Sequence, residues 1–142
     1  MGFTNYWTRP NKPVPAKAWD AFIEDVRKIF KAHDDIIARE SDLPDRAPIA
    51  DDTEVRFNGK GEDSHETFYL TRDFEQCTWD TTRKDQFAFC KTNRKPYNQV
   101  VTSVLSCVEH HLGDVFNVSS DGSDEEDGGI FPYSVIKDTY DL

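Results

Sequence analysis

The chain has 142 residues, of which 37% are hydrophobic and 13% aromatic, enough for one domain with one core and too many for global disorder. Its 27 acids against 17 bases give a formal net charge of −10, so bulk nucleic acid is repelled and is not the expected partner. No apolar run approaches the length of a membrane span, residues 1–7 lack the order of a secretion signal, and Cys77, Cys90 and Cys107 show no CxxC spacing. Free thiols in a reducing cytoplasm, with no metal and no cofactor, are the expectation.

Residues 2–8 read as a first strand. Pro10, Pro13 and Pro15 then impose an extended linker, because proline fixes φ and disfavours helix in the residue before it. Trp19, Phe22, Ile23, Val26, Ile29 and Phe30 recur at helical spacing, which predicts a helix from about Ala16 to about Ala38. An acidic loop, Ser41 to Asp52, follows. Thr53–Asn58 and His65–Thr71 alternate as strands around the turn residues Asn58 to Ser64, predicting a hairpin. Residues 72–83 are irregular, and Gln86–Thr92 is a strand. Pro96 stands where a first helical residue belongs. The apolar series from Tyr97 to Leu112 predicts a second helix, closed by Gly113. Val115–Ser119 is a short strand, Asp121–Gly129 an acidic loop, and Phe131–Tyr140 either a strand or a short helix. The expected fold is α+β: an antiparallel or mixed sheet of about four to six strands with two main helices packed on one face.

The densest chemistry is a basic island, Arg83, Lys84, Lys91, Arg94 and Lys95, opposed locally by Asp85 alone. Lys91, Thr92, Arg94 and Lys95 sit between a strand end and a helix start. A helix N-terminus offers unpaired N–H groups and the positive end of the macrodipole, so this mouth suits a phosphate or carboxylate. The competing reading is simple charge balance on an acidic surface.

The hairpin loop gathers Asn58, Glu62, Ser64, His65, Glu66 and Thr67. His65 and Glu66 are the candidate acid–base pair, although neighbours on a regular strand face opposite ways. The turn at Ser120 and Asp121 suits a ligand hydroxyl or merely turns the chain. The acids at 121–127 do not have EF-hand spacing. His110 and His111 read as a favourable charge pair at a helix C-terminus, and Cys90 and Cys107 as core thiols. Tyr6, Trp7, Tyr69 and Tyr97 are rings on which a base would stack.

Four blocks, Gly2-Phe3-Thr4-x-Tyr6-Trp7, Phe57-Asn58-Gly59-x-Gly61-Glu62-x-x-His65-Glu66-Thr67-Phe68, Phe89-Cys90-Lys91-Thr92-x-Arg94-Lys95-Pro96-Tyr97 and Ser119-Ser120-Asp121-Gly122, resemble a family of small, uncharacterised phage and prophage proteins. The chain departs from that pattern at Asn5, where His is expected, and at Asn98, where Asp is expected. The resemblance implies a viral source, the host cytoplasm and, by association, a counter-defence role. Three functions follow. The first is binding and sequestration of a nucleotide or nucleotide-derived host immune signal, with Lys91, Arg94 and Lys95 on phosphate and Asn58, Glu62 and His65 on ribose or base. The second is an enzyme on the same ligands using His65 or Glu66. The third is an acidic nucleic-acid mimic that docks on a host defence protein. Self-association is left open.

Overall fold

The computed structural model describes residues 3–43, 45–122 and 128–142. Its elements are β1 (Thr4–Arg9), α1 (Ala16–Ala32), β2 (Ile37–Ala38), β3 (Ile49–Ala50), β4 (Glu54–Gly59), β5 (Phe68–Thr71), β6 (Gln86–Lys91), α2 (Asn98–Leu112), β7 (Asn117–Ser120) and α3 (Tyr133–Tyr140). The class is α+β, and every strand pair is antiparallel. The strands divide into two sheets instead of one. The first has the order β6-β1-β7. In the second, Val55 of β4 pairs with Leu70 on one edge and Ala50 on the other, so β5 and β3 flank opposite sides of β4, and β2 pairs with β4 further along, at Asn58 and Gly59. The Glu66 N–H donates to the Lys91 carbonyl at 3.1 Å and ties the sheets together.

The first helix stops at Ala32, six residues short of the predicted end. Asp34 and Asp35 lie just beyond, and negative charge opposes the macrodipole at a helix C-terminus. Ile37 and Ala38 remain buried, but as β2 against Gly59 and Asn58. The loop 41–52 likewise contains a strand, β3. The apolar stripe of α1 is buried as its spacing requires.

The second helix is buried on nearly every side, and Ser103 and Ser106 are among its buried positions. Ser106 donates to the Phe131 carbonyl at 2.8 Å, so a hydroxyl here holds the entry to α3. Pro96 lies outside α2, in a turn that leads into it, and Tyr97 caps the helix. Gly113 stands at the C-cap of α2, where a Cβ would lie 2.4 Å from the Glu109 carbonyl oxygen, so the position requires glycine. Within the segment 131–140, Tyr133–Tyr140 is helix, with Ile136 buried.

Three polar clamps join these parts. Arg9 is 2% exposed; its guanidinium donates to the carbonyls of Thr71 (2.7 Å) and Arg72 (2.8 Å) and lies 4.6 Å over the Phe116 ring. Asp25 Oδ2 binds His111 Nε2 at 2.6 Å and accepts from the Tyr133 hydroxyl at 2.7 Å, linking α1, α2 and α3. His33 Nε2 lies 2.7 Å from the Tyr140 hydroxyl. Among the described residues no helix is long and apolar enough to cross a membrane.

Candidate functional site

The four sequence blocks meet at one end of the first sheet. Asp121 accepts from the Thr4 N–H (2.9 Å) and the Tyr6 hydroxyl (3.0 Å), which pins the turn after β7 to β1. The Thr92 N–H donates to the Phe3 carbonyl at 2.9 Å. Glu66 Oε1 accepts from the Lys91 N–H at 2.8 Å, and the Glu66 carbonyl accepts from the Tyr97 hydroxyl at 2.6 Å. Each block therefore completes the hydrogen bonds of another.

Inside this junction lies a buried polar triad. Asn98 Oδ1 accepts from Asn5 Nδ2 (2.9 Å) and from the Thr92 hydroxyl (2.7 Å), while Asn98 Nδ2 donates to the Gly128 carbonyl at 3.1 Å. The carbonyl partner fixes which way the Asn98 amide points. That in turn fixes Asn5, whose Oδ1 is buried with no hydrogen-bond partner among the described residues. An orphaned acceptor of this kind costs about 1–3 kcal/mol.

Asn98 also lines a cleft of about 440 Å³ at the mouth of α2. Arg94, Lys95 and the exposed Gln99 line it with the buried Thr102 of α2 and with Gly128, Gly129 and Phe131. Arg94 has φ of 56° and follows Asn93 at 51°. Asn tolerates this left-handed region, whereas for Arg it costs about 1–2 kcal/mol. The conformation sets the Arg94 guanidinium 4.4 Å over the Phe3 ring and beside Gly128. Gly128 itself has φ of 79°, a conformation suited to glycine.

The helix-mouth expectation needs correction. The N–H groups of Asn98, Gln99, Val100 and Val101 donate to the carbonyls of Lys95, Pro96 and Tyr97. The turn before α2 has taken the amides that an anion would use, so anion binding here rests on side chains.

The basic island also divides. Arg94 and Lys95 line the cleft, Lys91 extends over the Phe89 ring at 5.8 Å, and Arg83 holds Asp85 through two bonds of 2.8 and 2.9 Å. Thr92 is fully buried in the triad. Trp7, 3% exposed, packs on Phe68 at 4.8 Å, and Tyr97 is fully buried. Both are core rings and offer no face to a ligand. Burial drives the Tyr97 hydroxyl pKa far up, so it stays a neutral donor.

In the hairpin, Asn58 is 1% exposed and spends its amide on the backbone of Gly59 and His65 and the Thr67 hydroxyl. It shapes the loop, and Thr67 is its acceptor. Glu66 caps the Lys91 amide, and no hydrogen bond joins the exposed His65 ring to a carboxylate among the described residues. Glu62 is exposed in a 3-10 turn. Tyr69, on the second sheet, lies under Arg56 at 4.3 Å. Ser120 Oγ accepts from the Gly122 N–H at 3.1 Å, which is turn chemistry. His110 stacks on Tyr133 at 3.7 Å, and desolvation by that contact together with His111 lowers its pKa. The acidic run at 123–127 lies outside the described residues.

Sequence reasoning missed Gln99, Thr102, Gly128, Gly129 and Phe131. Gln99 and Thr102, polar at i and i+3 on an apolar helix, were the available signal. The chain matches no protein-family model, no curated protein and no solved structure.

Proposed function

We propose that this is a phage accessory protein that binds a small phosphorylated ligand of the nucleotide class in the cleft at the mouth of α2. It acts in counter-defence by sequestering a host signal. The observation that carries this is the lining of the cleft: Arg94 and Lys95 supply charge for phosphate, while the exposed Gln99 supplies a donor and an acceptor for a ribose or base. The volume is within the range of small-molecule pockets. The Phe131 ring gives the base an apolar wall.

Holding is favoured over turnover for a chemical reason. The described lining contains no His, Cys, Asp or Glu, and its one hydroxyl, that of Thr102, is buried and donates to the Gln99 carbonyl at 3.2 Å, which leaves Lys95 without a paired base or nucleophile there. His65 and Glu66 do not line the cleft.

Calorimetry with nucleoside phosphates, cyclic dinucleotides and ADP-ribose derivatives tests the reading. A ligand that binds is expected to lose roughly tenfold or more in affinity in Lys95→Glu and in Gln99→Leu, and to be recovered intact by chromatography after long incubation. Absence of heat with all three classes refutes binding, and a chemically altered ligand refutes sequestration.

A further inference from the structure

The face of the β6-β1-β7 sheet that points away from the core carries a second chemistry. Tyr6 on β1 is directly opposite Phe89 on β6, and Thr8 is opposite Phe87. The rings are contiguous: Tyr6 to Phe87 is 6.1 Å, Phe87 to Phe89 is 5.9 Å, and Trp79 meets Phe87 edge-on at 6.3 Å. Trp79 is 62% exposed and Phe89 43%. On β7 the same face presents Asn117 and Ser119, which pair with Thr8 and Tyr6.

No aliphatic side chain lies on this face in the register, so its apolar surface consists of flat rings alone. Rings flanked by hydroxyls and amides match nucleobases, which stack through their faces and hydrogen-bond through their edges. Cations stand at both ends of β6. Lys91 closes one end, over Phe89, and the exposed Lys84 precedes the other. Arg83 lies over Trp79 at 5.8 Å and over Phe87 at 5.3 Å, but Asp85 offsets its charge.

We propose that this face binds single-stranded nucleic acid, with bases stacked on Phe89, Phe87 and Trp79 and phosphates toward Lys91 and Lys84. The site is separate from the cleft, so it stands or falls independently of the function proposed above. It qualifies the expectation drawn from net charge: a chain of −10 repels a duplex at long range, yet stacking on rings is short-ranged and sequence-tolerant. With two cations facing phosphates, the salt dependence is shallow, a logarithmic slope no steeper than roughly −1.5.

The test uses fluorescein-labelled oligo-dT and oligo-rU with the full chain, read by anisotropy and by quenching of tryptophan fluorescence. Both signals are expected in the parent protein. Trp79→Ala and Phe89→Ser, which alter exposed side chains, are each expected to weaken binding roughly fivefold or more, while Lys95→Glu in the cleft leaves it unchanged. Preference for rU over dT, or the reverse, supports the site and identifies the strand. Absence of an anisotropy change with either oligomer overturns it. So does binding that ignores both ring variants, or a dimer in sedimentation that Phe89→Ser dissolves, which would assign the face to a second copy of the chain.

Discussion

Asn5, on the central strand of the first sheet, donates to Asn98, the first residue of α2, across 2.9 Å. This neutral contact joins sheet to helix directly behind the cleft. Replacing the two amides by His and Asp would put a charged pair in the same place. Asn98→Asp alone places a buried carboxylate against the Gly128 carbonyl and removes a donor, and is expected to cost about 1–3 kcal/mol. Adding Asn5→His supplies a partner for that carboxylate. A double-mutant cycle followed by urea unfolding is expected to give a favourable coupling of about 0.5–3 kcal/mol; additive losses would show that the pair does not form.

Stability should fall in mild acid. Burial lowers the pKa of His33 below its ordinary value of 6.5, with Asp35 partly opposing. Burial and His111 lower that of His110. The unfolded chain then binds protons that the folded one does not, so stability rises with pH across this window. The contribution is complete above the unfolded value, declines as pH drops from 6.5 toward the folded values, and levels off below them. Thermal melts between about pH 7 and pH 5 should show the decline, and His33→Gln should flatten it while retaining a hydrogen bond to Tyr140.

Among the described residues no carboxylate is hydrogen-bonded to the Arg9 guanidinium; the carbonyls of Thr71, Arg72 and, at 3.4 Å, Lys12 hold it together with an aromatic face. Burial lowers its pKa, Asp73 and Glu75 partly opposing, yet a guanidinium remains charged. Its planar fork reaches Thr71 and Arg72 together, which a single ammonium does not reproduce. Arg9→Lys is therefore expected to lose about 1–3 kcal/mol in urea unfolding, close to the loss in Arg9→Met. A silent Arg9→Lys would show that charge alone suffices.

The thiols should be unreactive while the chain is folded. Burial raises the Cys90 pKa to about 12 and pushes that of Cys107 higher still, so almost no thiolate exists near neutral pH. Labelling of Cys90 and Cys107 by a thiol reagent is expected to follow the rate of unfolding. Fast labelling of either in the native protein contradicts their burial.

Local pattern was sufficient for much of the architecture. The apolar stripe of α1 and the alternation in β4 follow from spacing alone, because periodicity decides which face is buried, whereas in β6 both faces are apolar and only pairing turned Cys90 inward and Phe89 outward. The hairpin and the stop at Gly113 follow from turn chemistry and close backbone approach. By contrast, the spacing of Ile36 and Ile37 gave no warning that the chain had left the helix, since apolar residues satisfy either a helix or a short strand.

The site divided along the same line. The sequence by itself determined that cations, rings and turn residues cluster in four blocks, since residue type and proximity in the chain are local properties. Tertiary structure decided what those residues do. Pairing between β1, β6 and β7 turned Trp7 and Tyr97 into core, set Lys91 on the ring face and left Arg94 and Lys95 at the cleft. Packing against a segment some thirty residues away, through the Asn98–Gly128 bond, built the cleft wall that no local pattern announces. Burial is a property of the whole fold, and it separates a stacking ring from a structural one.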